Sequence, residues 1–318
     1  MLSDTPGVHH VSAIAGDHRA NRRFYTDVLG LRFVLRTVNF EDRFIYHLYY
    51  GDRRGSPGTV LTFFPYPREL PGREGKPGIA SVALRVPADA LDAWRDRLAA
   101  HGVARESVDR FGDDALAFTD PDDTRIELVG VDAVTAESVD VSLLADGPVP
   151  PGEAVRGIDG VAVRSASPYA TAALLQTFGF EQVAESGERV RYRLPGGRRS
   201  AVDLLTDDAA YGREGRGSIH HVALSVENES QLHEWRELLA ERDYDVSRVK
   251  DRHVFHSLYV RDPGGILFEL ATERPGLGVA EREPDPADDL WLPPELEPDR
   301  EMIESQLPPL DGEAESGK

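Results

Sequence analysis

Two histidine pairs, His9-His10 and His220-His221, and one carboxylate, Glu269, stand out by type and spacing. His10 and His221 each stand directly before an alternating run, Val11-Ser12-Ala13 and Val222-Ala223-Leu224, and each follows a second histidine. A lone strand histidine is more often a satisfied core or surface residue than a ligand. The same offset met twice, each time beside another histidine, reverses that reading. Glu269 falls in the apolar run Ile266-Leu267-Phe268-Glu269-Leu270, where an unpaired buried carboxylate would be costly and a metal would explain it. The chain has no cysteine, so thiolate sites, disulfides and cysteine nucleophiles are excluded and any metal must be held by histidine and carboxylate. Two histidines and one carboxylate are the facial donor set of non-haem Fe(II), which leaves three positions for small ligands; Mn(II) fits the same donors.

The elements that must position these residues emerge when the chain is laid against itself. The runs Ser81-Val82-Ala83-Leu84-Arg85-Val86 and His221-Val222-Ala223-Leu224-Ser225-Val226 are alternating strands. Each is followed by an amphipathic helix, 90–100 around Trp94 and 231–240 around Trp235. Each segment then closes on Asp-Pro with a glutamate seven residues beyond the aspartate: Asp120 to Glu127 and Asp262 to Glu269. Gly7-Val8-His9-His10-Val11 and Gly157-Ile158-Asp159-Gly160-Val161 open two further segments. Their helices, 19–29 and 169–177, are expected to stop at Gly30 and Gly179. Strands over about 33–38, 44–50 and 59–64 complete the first segment. The chain therefore reads as an α+β protein of four tandem βαβββ modules, near 7–66, 78–131, 156–206 and 217–272. They divide into an N-terminal pair (1–145) and a C-terminal pair (154–275). Residues 276–318 form an acidic, Pro-rich tail with a short helix expected near 300–306.

At 318 residues the chain is long enough for two domains with a substantial core. It carries 36 basic and 56 acidic residues, a net charge of −20. Nucleic acid is an unsuitable partner for that charge. Only Lys76, Lys250 and Lys318 are lysines, and the acid-rich, lysine-poor balance resembles that of proteins working in concentrated salt, where screening removes self-repulsion. The absence of a leader-like start and of any long apolar run makes a cytoplasmic protein without membrane contact the expectation.

Four such modules in tandem resemble the vicinal-oxygen-chelate superfamily of glyoxalases, bleomycin-resistance proteins and extradiol ring-cleaving dioxygenases. The stretches Val8-His9-His10-Val11, Thr37-Val38-Asn39-Phe40, Tyr46-His47-Leu48-Tyr49-Tyr50-Gly51, 58–65 and Leu290-Trp291-Leu292-Pro293 are similar to the branch that cleaves hydroquinones. The resemblance implies two cup-shaped half-barrel sheets, each built from paired modules. If modules one and four share a cup, its wall carries His10, His221 and Glu269. The other cup is then expected to hold Ser81, Gly160 and a lone, structural or solvent-facing Glu127, a dead site.

Glyoxalase-type members complete their metal set from the last strand of module one, and 59–64 contains neither carboxylate nor histidine. That gap favours oxygen chemistry. Strand alternation sends His9 and His220 to the opposite face unless the strand bulges there, so the residues alone leave their role open. The resemblance implies that the second histidine of each pair binds metal and the first lies just behind it. It also implies that Ser12 holds a hydroxyl position, Ser standing where Thr is expected. Arg252 and Tyr259, 17 and 10 residues before Glu269, have the right donors for substrate oxygens; His253 and His256 are alternatives. Catechol-cleaving relatives carry an acid–base histidine nine positions before this tyrosine, where Lys250 stands here. His18, His101 and His233, on or beside helices, are expected in solvent.

The implied activity is Fe(II)-dependent dioxygenation of a small aromatic para-diol with O₂, with Arg252, Tyr259 and His220 stabilising charge or moving protons. The rivals are a glyoxalase-like lyase or isomerase, which would consume no O₂, and a binding protein that sequesters small aromatics. Such cups leave room for a homodimer.

Overall fold

Paired strand registers show how the modules combine in this structure, a computed structural model that describes residues 5–132, 147–196, 198–277 and 289–310. Module one consists of β1 (Val8–Ala15), β2 (Arg32–Asn39), β3 (Asp42–Gly51) and β4 (Val60–Pro65). Module two consists of β5 (Gly78–Pro87), β6 (Arg105–Arg110), β7 (Asp113–Thr119) and β8 (Arg125–Val131). Module three has β9 (Ile158–Arg164), β10 (Glu181–Ser186), β11 (Arg189–Arg193) and β12 (Ala201–Leu205). Module four has β13 (Ile219–Val226), the short pieces β14 (Asp245–Val246) and β15 (Lys250–Asp251), then β16 (Phe255–Arg261) and β17 (Leu267–Pro275). In each module a helix crosses between the first two strands, and the first and last strands lie parallel. The architecture is α+β, a mixed sheet curled into two open cups rather than a closed barrel.

The cups do not follow the sequence halves. β1 runs antiparallel to β13, joining modules one and four, and β5 runs antiparallel to β9, joining modules two and three. Both opening strands of the first cup are almost wholly buried, as strands flanked on both sides and covered on both faces must be. Helices close the outer faces: Leu91, Trp94 and Leu98 face inward from Leu91–Ala100, and Leu232, Trp235 and Leu239 from Glu229–Glu241. The expected single helix at 19–29 is instead α-helical over His18–Arg23 and continues as a wider turn over Phe24–Val28, which places Phe24, Tyr25 and Val28 together in the core.

Part of the expected tail, 278–288 and 311–318, lies outside the described residues. The rest straps module one: Trp291 N donates to Arg36 O, Tyr46 Oη donates to Pro308 O, and Ile303 on the helix Arg300–Gln306 is buried. This strap corrects the expectation for His18, which is 8% exposed with Nε2 3.1 Å from Pro309 O. His101 and His233 are exposed as expected.

The second cup is filled by charge rather than being empty. Ser81 and Gly160 take the registers that His10 and His221 hold in the first cup. A Cβ at Gly160 would fall 2.0 Å from Ala201 O, so no ligand side chain fits there. Glu127 is neither lone nor solvent-facing. Asp203 closes module three in the equivalent register, and both are buried with Asp159 around Arg110, which is 1% exposed. Arg110 reaches Asp203 at 2.6 Å, Glu127 at 3.0 Å and Asp159 at 3.8 Å. A guanidinium thus occupies the place where the first cup gathers its metal-type donors. Burial pushes the Asp203 carboxyl up, but Arg191 and Arg110 override it and hold it at about 2. Its ionised form therefore stabilises the fold fully above the unfolded value near 3.8, and this stability drains as pH falls toward 2. Arg110→Ala would remove the cation shared by three buried carboxylates, leaving Asp203 to Arg191, Asp159 to Arg199 and Glu127 with only distant arginines, and is expected to lower unfolding stability by about 3 kcal/mol in urea titrations. A loss below ~1 kcal/mol would show that the cluster is not held by this cation.

Candidate metal centre and its cavity

Two β-bulges build the site. The β1–β13 register shifts between Val8 and His10 and again between Ser12 and Ala13, so His9 and His220 are the extra residues in their strands. Each bulge turns its histidine toward its neighbour: His9 Nδ1 lies 2.9 Å from His10 Nδ1, and His220 Nδ1 lies 2.7 Å from His221 Nδ1. The alternation that left these residues open is broken where it would have separated them.

The free edges of His10 and His221 meet on Glu269. His10 Nε2 is 3.1 Å and His221 Nε2 2.8 Å from Glu269 Oε2, and the two Nε2 atoms are 3.4 Å apart. All three residues are buried, and they form a cluster of metal-type donors among the described residues. Burial lowers the His221 imidazole to about 4, with Glu269 opposing, so it is neutral, as a ligand must be. Burial also lowers His9 to about 3, assisted by His10. A neutral His9 can accept at Nδ1 the proton of His10 Nδ1–H, which fixes the tautomer that leaves His10 Nε2 with its lone pair toward Glu269. His220 stands in the same relation to His221. Burial would raise Glu269, but His10 and His221 hold its carboxyl well below the usual range. Its two oxygens are buried without a hydrogen-bond donor. A buried carboxylate with two imidazole nitrogens converging on one of its oxygens is the donor set of a divalent cation, and the residues fit one.

The cluster forms the floor of a cavity of about 600 Å³. Tyr259 pairs with Glu269 across β16–β17, and its ring stands edge-on to His221 at 5.6 Å. Arg252 Nη2 donates to Tyr259 Oη at 3.2 Å. Burial pushes the Tyr259 hydroxyl up, so it keeps its proton, and with Arg252 donating to it that proton is free for a group in the cavity. Ser12 and His220 also line this space, whereas His9 lies behind His10. His253 and His256 do not line it. His253 pairs with Glu295 at 2.7 Å, and His256 faces Asp251 and Glu229, each at 3.9 Å.

Sequence reading missed a chain of neutral donors on the opposite wall. Thr62 pairs with Ser12 across β1–β4, the register in which β17 presents Glu269 to β13. Ser12 Oγ and Thr62 Oγ1 are 2.7 Å apart, Thr62 Oγ1 and His47 Nε2 2.9 Å, and His47 Nδ1 and Tyr49 Oη 2.9 Å. Burial keeps His47 neutral and Tyr49 protonated. With the His47 tautomer that accepts from Tyr49 at Nδ1, His47 donates to Thr62 and Thr62 to Ser12, and the Ser12 proton is left for the cavity; the other tautomer reverses the chain. The signal was present as Thr62, in the closing register of 59–64, which a search for charged ligands passes over.

Comparison with known proteins identifies the family and the fold. The pattern of the Glyoxalase/Bleomycin resistance protein/Dioxygenase superfamily matches residues 7–128 and 158–270. MhqO of Bacillus subtilis (strain 168), provisionally named a ring-cleaving dioxygenase, is 36% identical over 312 residues, covering 98% of both chains. A chlorohydroquinone/hydroquinone 1,2-dioxygenase of Sphingobium indicum is 29% identical over 277 residues, covering 83% of this chain and 84% of its own. A crystal structure of a provisionally named dioxygenase from Bacillus subtilis superposes with a TM-score of 0.91 at 35% identity, over 97% of this chain and 98% of that one. Glyoxalase I from Zea mays, at 13% identity and a TM-score of 0.60 over 84% of this chain and 92% of its own, shares the fold. With both stretches of the pattern matched and near-complete overlap with relatives above 30% identity, the chain belongs to the glyoxalase/bleomycin resistance protein/dioxygenase superfamily.

Proposed function

We propose that this protein is a ring-cleaving dioxygenase that uses Fe(II) held by His10, His221 and Glu269 to open hydroquinone-type aromatics with O₂. The observation that carries this reading is the three-donor set at the floor of a cavity large enough for a single aromatic ring, with Tyr259 and Arg252 beside it. The names of the Bacillus and Sphingobium relatives support it. Bound Fe(II) would supply the electron relay that lets ground-state O₂ react with a diol. The protein's share is orientation and proton handling. Tyr259 offers its hydroxyl proton to a substrate oxygen, and Arg252 keeps that hydroxyl oriented and balances phenolate charge. Ser12 offers a proton from the opposite wall, and His9 and His220 hold the ligand tautomers.

Thr62 in the closing register of module one supports oxygen chemistry over glyoxalase-type isomerisation, because a neutral hydroxyl takes the place of a fourth charged ligand. An oxygen electrode with Fe(II)-loaded protein tests the reading. The expected result is one O₂ consumed per hydroquinone, with a ring-opened product. Isomerisation of a hemithioacetal without O₂ uptake, or tight aromatic binding without turnover, would replace it by one of its rivals. The net charge of −20 with three lysines supports a working environment of high salt, so uptake is expected to hold or rise as KCl increases to ~1 M, where screening reaches about 3 Å. A steep loss of activity over that range would remove the salt adaptation.

No helix among the described residues is long and apolar enough to cross a membrane.

A further inference from the structure

The mouth of the cavity carries a charge arrangement that the reaction itself does not require. Glu41, on the turn between β2 and β3 of module one, reaches across to module four. Its Oε1 accepts from Arg252 Nη2 at 3.1 Å and also pairs with the Lys250 ammonium. The two cations stand over the Tyr259 ring, Lys250 Nζ at 5.3 Å and Arg252 Cζ at 5.4 Å from its centre. A line of contacts therefore runs from Glu41 through Arg252 to Tyr259 and on to His221. Asp42, Glu69 and Glu214 add negative charge to the same lining. Lys250 and Arg252, the lysine and arginine among the described residues lining the cavity, are both engaged by Glu41.

We infer that Glu41 is a specificity-determining residue, which selects ring substrates without a carboxylate. This rests on the hydroquinone reading above. An uncharged diol can pass its far hydroxyl to Glu41 or accept from Arg252 while the ion pair stays intact. A carboxylated diol must draw Arg252 or Lys250 away from Glu41, leave that carboxylate with a single cation, bring a further negative charge into a lining that already holds Asp42, Glu69 and Glu214, and lose its own hydration. The Glu41 carboxyl, held low first by the Lys250 hydrogen bond and opposed by burial, stays ionised throughout the working range. Glu41 is largely exposed, so solvent screening limits the effect to about tenfold in relative affinity. A position on a surface turn also makes substitutions there compatible with folding.

The experiment uses a matched pair of probes, 2,5-dihydroxyphenylacetamide and 2,5-dihydroxyphenylacetate, which differ in charge and hardly in shape. Their dissociation constants are measured anaerobically on the Fe(II)-loaded wild type, Glu41→Gln and Glu41→Lys, and O₂ uptake is recorded separately. The wild type is expected to prefer the amide. Glu41→Gln narrows the ratio about tenfold, chiefly by tightening the carboxylate, and Glu41→Lys narrows it further. A ratio unchanged across the series, equal wild-type affinities, or no binding of either probe overturns the inference. If the ratio shifts but neither probe is cleaved, the charge selection stands and ring cleavage falls; if the probes are cleaved at an unchanged ratio, the reverse holds.

Discussion

Replacing His10, His221 or Glu269 with alanine is expected to reduce retained metal from about one ion per chain to less than about a tenth, and to abolish turnover with it. Metal analysis after gel filtration decides this. The control is Glu127→Gln, which alters the same register in the second cup, where Arg110 already supplies the cation, and is expected to leave the metal content unchanged. Equal loss in that variant would place the ion in the wrong cup. Thermal unfolding gives an independent readout. Without metal, Glu269 is enclosed by protein with the imidazoles of His10 and His221 against its Oε2, so metal titration followed by unfolding reads this site directly. The wild type should gain about 3 kcal/mol when free metal reaches a hundred times its dissociation constant, and Glu269→Gln should gain almost none.

How far this arrangement was legible in the sequence depends on what each residue's partner is. His10, His221 and Glu269 could be singled out because a repeat places each at a fixed offset from a strand start or an Asp-Pro turn, and an offset survives without knowledge of tertiary contacts. Pairing β1 with β13 then brings the three together. Their neighbours were less legible. Whether His9 and His220 face the site depends on two bulges, and a bulge depends on the partner strand, which the local pattern does not contain. Arg110 looked like one of many arginines on a polar strand, since β6 is otherwise largely exposed. Its burial follows from Asp159 and Asp203, which belong to a module that begins about fifty residues later. Glu41 could not be assigned because its partners Lys250 and Arg252 lie in the last module and meet it only when module four closes against module one. The His47 to Ser12 chain lies within module one, but it rests on hydroxyl and imidazole protons whose directions no spacing encodes.

Hydroquinones are expected to outperform the matching catechols in kcat/KM, and Tyr259→Phe or Arg252→Ala is expected to reduce hydroquinone turnover by about 10²–10³ while the metal stays bound. The geometry explains both outcomes. A catechol binding through two adjacent oxygens needs a proton donor near them, at the position where catechol-cleaving relatives carry a histidine. Here that position is Lys250, which is committed to Glu41 at the mouth of the cavity and stands over the face of the Tyr259 ring. A para-diol bound through one oxygen presents the other across the ring, toward a wall that carries proton donors. Tyr259 is the main candidate there. Its hydroxyl accepts from Arg252, so its own proton points elsewhere, and Tyr259→Phe removes that proton without changing the size of the cavity. Arg252→Ala removes the group that orients the hydroxyl and also frees Glu41, so it should raise KM as well as lower kcat, whereas Tyr259→Phe should act mainly on kcat. Equal or faster turnover of catechol by the intact protein would refute the para-diol assignment even with iron in place. Loss of metal in Tyr259→Phe would show instead that the tyrosine supports Glu269, its neighbour across β16–β17, rather than the substrate.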